Sequence, residues 1–307
     1  MRSRQSLPLE LERMICEYAV FESRDTTTRI IRVARRFKTW FEPELYRIVK
    51  RMGLHQCPTD LDKTVHKPMR GGMSVLTWEL DASSIRRFGP WVHHLFLQHR
   101  YELAIFLQHC PNIFHLEFGS YTDSDCVGMI PLLEKLPLRR LCFEPCSFFE
   151  GRLPYKKRPY SGPLKIPFDQ PMFHGLTHLE ITTYRREFSD SDYGQLALLP
   201  RLTHLAFNGC CWDPDMKVDS VISSLVRRNQ RIKLLVIIFE SEWHFKAAVP
   251  KSQHRDNTRV VFLTRVPDGE LDRDIGRGLR TEQAFWRMAE AMQQEAVEKG
   301  GQPVSQS

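Results

Sequence analysis

No stretch of the 307 residues approaches the ~18 uninterrupted apolar residues that a membrane-spanning helix needs. The opening stretch, MRSRQSLPLELE, carries charges where a signal peptide would run apolar, so the expected location is the cytoplasm, the nucleus or both. Also missing are a Gly-rich phosphate loop and a His-Glu-x-x-His motif, which removes the simplest nucleotide and metalloprotease signatures. The eight cysteines, Cys16, Cys57, Cys110, Cys126, Cys142, Cys146, Cys210 and Cys211, lack the density and context of a secreted disulfide framework. They are expected as buried thiols. Cys142 and Cys146 are four apart with no second pair, and Cys210-Cys211 is a bare doublet, so no nucleophile or metal signature forms. No intrinsic catalysis and no cofactor are expected.

Charge of one sign is not in large excess either. Lys plus Arg number 44 against 37 Asp plus Glu, a net +7. Residues 1–51 hold twelve basic and seven acidic side chains, +5, and residues 150–171 hold five against two, +3, so the rest sums to 7 − 8 = −1. The first cluster includes Arg29, Arg32, Arg35, Arg36, Lys38, Arg47, Lys50 and Arg51, and the second Lys156, Lys157 and Arg158. Phosphate binding needs little more than clustered charge, but acidic residues are interspersed, so these read as local surfaces and nucleic acid is not the expected partner.

What the chain does have is 42% hydrophobic and 26% charged residues, enough for a large core, and an internal repeat. Apolar residues recur at positions 1, 4 and 6 of one pattern: Val92-Leu95-Leu97, Ile113-Leu116-Phe118, Leu138-Leu141-Phe143, Leu176-Leu179-Ile181, Leu202-Leu205-Phe207 and Ile232-Leu235-Ile237. The intervals of 21, 25, 38, 26 and 30 residues bracket the 20 to 29 of leucine-rich repeats, except at one place. That exception points to an insertion at 150–171, EGRLPYKKRPYSGPLKIPFDQP, whose five prolines resist helix and central strand. It is expected as a surface excursion. Helix-like segments separate the strands, with Pro111, Pro137 and Pro200 where each helix must stop. The expected fold is α/β: an irregular leucine-rich-repeat solenoid at 91–265, parallel strands on its concave face and helices on its convex face. Residues 52–90, with the apparent strand SVLTWEL, are a connecting segment or a first irregular repeat, and NTRVVFLTR at 257–265 is a further strand that breaks the register.

Residues 1–51 show helical periodicity instead. Leu7, Leu11, Met14, Ile15 and Tyr18 line one face, Ile30, Ile31, Val33, Ala34 and Phe37 another, and Pro43 introduces a third short helix with Leu45, Tyr46, Ile48 and Val49. At the other end, 266–307 holds a charged linker, a helix from about Thr281 and a polar tail. Phe285, Met288, Ala289, Met292 and Ala296 share a side of that helix. Because Leu234, Val236 and Ile238 make even the open face of the last strand apolar, this helix is expected to shield it.

Alternation along each strand puts positions 3 and 5 on the concave surface if 4 and 6 face the core. Position 3 reads His94, His115, Arg140, His178, His204, Leu234, and position 5 reads Phe96, Glu117, Cys142, Glu180, Ala206, Val236. The imidazole pairs His94/His115 and His178/His204, with Glu117 and Glu180 nearby, permit a zinc site, a pH-responsive protein-binding surface, or simply a polar position where Thr-His-Leu recurs at 177–179 and 203–205. No metal ligands are assigned. The candidate substrate surface is His94, Phe96, His115, Glu117, Arg140, His178, Glu180 and His204.

The N-terminal residues carry a resemblance. Leu7-Pro8 followed by Glu10-Leu11 and Ile15, then Val33-Ala34-Arg35-Arg36-Phe37, and Trp40 ahead of Pro43, Leu45 and Tyr46, are similar to the F-box motif. The whole chain resembles fungal F-box-like proteins with degenerate leucine-rich repeats. The resemblance implies an F-box-like helical cap at 1–51 that docks on the Skp-type adaptor of a cullin-RING ubiquitin ligase, while the repeats hold a protein substrate. It places Leu7, Pro8, Leu11, Ile15, Val33, Leu45 and Tyr46 at the adaptor. The same residues packing against the first repeat is the alternative, which leaves a leucine-rich-repeat scaffold or binding protein with no ligase role.

Overall fold

The computed structural model describes residues 7–22, 24–51, 82–97, 103–118, 127–149, 166–182, 194–196, 198–210, 218–239, 241–264 and 284–298. The chain is α/β. Among the described residues, eight strands form one parallel sheet whose spatial order is the chain order: β1 Ile48–Arg51, β2 His94–Leu97, β3 His115–Phe118, β4 Arg140–Phe143, β5 His178–Thr182, β6 His204–Cys210, β7 Leu234–Phe239 and β8 Val260–Thr264. Helices α1 Leu9–Glu22, α2 Arg24–Val33 and α3 Arg35–Tyr46 precede the sheet. Along the sheet follow α4 Ala82–Phe88, α5 Leu103–His109, α6 Ile130–Leu133, α7 Pro145–Phe149, α8 Pro171–His174, α9 Val218–Arg228 and α10 Glu242–Ala248, and α11 Ala284–Glu298 comes last. No helix among the described residues is long and apolar enough to cross a membrane.

The repeat explains the sheet. All eighteen side chains of the six 1-4-6 triplets are 3% exposed or less, and they join one core cluster with Leu103 and Phe106 of α5, Leu133 of α6, Phe173 of α8, and Ile222 and Leu225 of α9. One sheet face is therefore sealed by helices. The backbone repeats with equal regularity. In each unit from β2 to β7, the amides of positions 2 and 3 both donate to the position-2 carbonyl of the preceding unit, from His93 and His94 onto Arg47 through to Lys233 and Leu234 onto Thr203. This shared acceptor locks neighbouring strands into one register, so like positions stack along the sheet. Glycine is required where helix and neighbour crowd: a Cβ on Gly89 would stand 2.1 Å from the His109 carbonyl oxygen, and one on Gly175 2.6 Å from that of Leu138.

Several expectations need correction. Pro43 does not start a helix; α2 ends at Val33, Ala34 is extended, and α3 runs from Arg35 through Pro43 to Tyr46. Ile48 and Val49 lie in β1, with Val49 buried against Leu95. The final strand is in register after all, Leu235 pairing with Val260 and Ile237 with Phe262. The Pro-rich insertion is no surface excursion at its far end, since Ile166 and Phe168 are 1% exposed in the core. Its residues 150–165, the SVLTWEL segment and the C-terminal linker lie outside the described residues.

Candidate functional site

The sheet face opposite the helices carries positions 3 and 5. The pairing aligns His94, His115, Arg140, His178, His204 and Leu234 in one column, and Phe96, Glu117, Cys142, Glu180, Ala206 and Val236 in the other. At the first end the column is packed with rings. His94 lies edge-on to Phe114 at 4.6 Å and to His115 at 5.7 Å, Phe96 meets His115 at 5.1 Å, and both histidines are buried. In the middle, Cys142 lies between Glu117 and Glu180, and burial, reinforced by those two carboxylates, holds its thiol far above the usual range. Glu180 Oε1 accepts a 2.7 Å hydrogen bond from Asn208 Nδ2. Glu117 is exposed and Arg140 half-buried.

The second end is covered by α11. Trp286 and Ala289 are buried there with Ala206, Leu234, Val236, Ile238, Val261 and Leu263, and Met288 and Met292 pack alongside. Gln293 Nε2 adds a 2.7 Å hydrogen bond to the Lys233 carbonyl. The helix thus shields the apolar open face of β6–β8, as the pattern of Leu234, Val236 and Ile238 anticipates. It begins at Ala284, and Trp286 is a buried anchor that the sequence reading did not single out; the Phe285 side chain lies outside the described residues. Trp286 lies three residues before Ala289, a spacing that already places it on that face.

Beneath α11 the recurring Thr-His-Leu acquires a structural meaning. The His178 and His204 rings stack at 4.2 Å, 7° from parallel, and Trp286 stands edge-on to them at 5.2 and 5.6 Å. Thr177 Oγ1 donates to the Arg139 carbonyl and touches His178 Nδ1 at 2.9 Å; Thr203 Oγ1 donates to the Thr177 carbonyl and touches His204 Nδ1 at 2.8 Å. A threonine hydroxyl has one proton, so when the carbonyl takes it Nδ1 donates to the threonine oxygen, and when Nδ1 takes it the ring proton sits on Nε2. In the first arrangement a neutral ring carries its lone pair on Nε2. Burial, with His204, Arg140 and His115 adding to it, lowers the His178 pKa to about 3. Burial also lowers that of His204, against the raising effect of Glu290, whose Oε1 lies 3.3 Å from His204 Nε2. Among the described residues, His178, His204 and Glu290 bring three metal-ligand atoms within 4.8 Å of one another. The carboxylate of this group comes from α11, not from Glu117 or Glu180.

The proposed adaptor residues form a separate surface. Leu7 and Pro8 immediately precede α1, where the Pro8 carbonyl accepts from the Glu12 amide, and both are exposed. Leu7, Leu11, Met14, Ile15 and Tyr18 follow at helical spacing and, with Val33 at the end of α2, are 47–74% exposed. The α1 helix is tied to α3 through Arg36 and Glu12 at 2.6 Å, while Phe37 and Phe41 of α3 are buried. Leu45 is half-buried. Tyr46 is half-buried and stacks on Phe88 at 4.8 Å, joining the helices to the sheet.

No family model matches the chain, and neither a curated protein nor a solved structure is found to match it.

Proposed function

We propose that this chain is a non-catalytic protein-interaction module, a substrate receptor of a cullin-RING ubiquitin ligase of the Skp-adaptor, F-box type. The observation that carries the reading is the α1 face. Helix α1 and the Leu7 before it leave Leu7, Leu11, Met14, Ile15 and Tyr18 exposed, and contiguous exposed apolar patches mark interaction surfaces. Apolar anchors ringed by charge, here Glu10, Arg13, Glu17 and Arg36, have the make-up of a protein docking site. Tyr46 would belong to the joint between this box and the repeats, leaving Leu7, Pro8, Leu11, Ile15, Val33 and Leu45 for the adaptor.

The remainder is read as an irregular leucine-rich-repeat solenoid. Sequential parallel strands, spaced by about 20 to 30 residues except between β1 and β2 and between β4 and β5, support that reading. Because α11 covers the far end, a substrate would use the β2–β4 end of the open face, where Phe96, Glu117 and Arg140 are presented. The mechanism is tethering: holding adaptor and substrate on one rigid body raises the effective concentration of substrate lysines near the ubiquitin-loaded enzyme.

Co-purification tests this. A Skp-type adaptor should be retained by wild type and lost by Leu7→Ala/Pro8→Ala. Failure of folded wild type to retain it would leave a leucine-rich-repeat binding protein outside any ligase.

A further inference from the structure

We propose that His178, His204 and Glu290 form a binding site for one divalent transition-metal ion of the zinc class, which clips α11 to the open face of the sheet. The donor set is the first reason: two imidazole nitrogens and a carboxylate oxygen suit zinc, whereas magnesium and calcium take oxygen ligands. The second is the hydrogen bonding available to the other nitrogen of each ring. Each Nδ1 lies 2.9 or 2.8 Å from a threonine hydroxyl that can give its proton to a carbonyl and accept from the ring, the tautomer that frees Nε2 to bind a metal. His204 Nε2 lies 3.3 Å from Glu290 Oε1. A metal ion there would take the place of the proton that His204 Nε2 and Glu290 Oε1 otherwise share.

The third reason is support around the ligands. Metal-binding histidines donate their other ring N–H to a fixed acceptor, and Thr177 and Thr203 provide this in two consecutive strands. Ligand atoms of one tetrahedral zinc lie about 3.3 Å apart, given Zn–N and Zn–O bonds near 2.1 Å. The His204–Glu290 distance already matches, and the rings, stacked at 4.2 Å, need only splay about their side-chain bonds for both Nε2 atoms to reach the ion. Three protein ligands leave the fourth position to water. Two ligands lie on the sheet and one on α11, so the ion bridges the elements that Trp286 already packs together.

The test is zinc titration of the full-length chain, stripped with chelator, in a thiol-free reductant at pH 7.5. Cysteines elsewhere set a background, so the readout is a difference. Wild type should bind one more equivalent of zinc than His178→Gln/His204→Gln, and magnesium should not compete. Glu290 is half-exposed, so Glu290→Gln should fold normally and melt as wild type does in chelator, yet bind this equivalent at least tenfold more weakly. Thr203→Val should weaken it by about 10- to 100-fold. At a free zinc concentration a hundred times the dissociation constant, wild type should melt about 5 °C higher, and Glu290→Gln should gain much less. Equal zinc stoichiometry in wild type and the double variant, or an equal melting shift in wild type and Glu290→Gln, would overturn the proposal.

Discussion

Trp286 carries the heaviest single burden in holding α11, and its removal has a calculable effect. The side chain is 5% exposed, edge-on to His178 and His204, within a cluster of Ala206, Leu234, Val236, Ile238, Val261, Leu263 and Ala289. Trp286→Ala loses the transfer free energy of the indole and leaves a cavity, together about 3–5 kcal/mol. For a chain of this size each kcal/mol moves the melting temperature by roughly 2–4 °C, so the midpoint should fall by about 6 °C or more. Trp243 provides the control, because it is 64% exposed and Trp243→Ala should stay within about 0.5 kcal/mol of wild type. Deleting residues 279–307 should go further, exposing the apolar face of β6–β8 and causing aggregation. Scanning calorimetry with light scattering reads both effects. If Trp286→Ala and Trp243→Ala melted together at the wild-type temperature, α11 would not be seated on the sheet and the covered face would have to be open.

Other outcomes follow from local geometry. Gly89→Ala and Gly175→Ala drive a Cβ into a backbone carbonyl, at 2.1 and 2.6 Å, and should each lower the urea midpoint clearly, whereas Gly128→Ala meets nothing within 4 Å and should not. Cys110 is fully buried and its pKa is pushed up to about 12 from 9.0, so at pH 8 its thiolate fraction is about a thousandfold below that of a free cysteine. Mass spectrometry after iodoacetamide treatment should find Cys110 unmodified in the native chain and modified in urea; native labelling would contradict the packing. Arg259 donates to the carbonyl of Val226 in the last turn of α9 and to those of Asn229 and Ile232 just beyond it, so Arg259→Ala should cost about 2–4 kcal/mol, measured by denaturant titration.

The central strands were legible because Val, Ile, Leu and Phe fill positions 1, 4 and 6 in six copies, and burial demands apolar side chains at all three. The two outer strands escaped the pattern for identifiable reasons. In β1 the sixth position is Arg51, and in the β8 unit the first is Asn257, whose Oδ1 accepts from the Arg259 amide instead of filling the core. Alignment of the histidine column also follows from register alone. What sequence could not supply was the partner of that column. Glu117 and Glu180 were close by in the pattern, but Glu290 approaches from a helix more than eighty residues beyond His204, a placement fixed by tertiary packing of Trp286. The break between α2 and α3 was hidden as well, since Ala34 favours helix and Pro43 disfavours it, yet the chain extends at Ala34 and stays helical through Pro43.

Adaptor docking depends on the exposed apolar face of α1, and the affinity of a purified Skp-type adaptor for the 307-residue chain measures it. Calorimetry should give saturable one-to-one binding for wild type. Leu11→Asp/Ile15→Asp, on a face already exposed, should melt like wild type and bind at least a hundredfold more weakly, the loss expected when two anchors are removed. Absence of binding by folded wild type, or equal binding by the double variant, would contradict the adaptor-docking account.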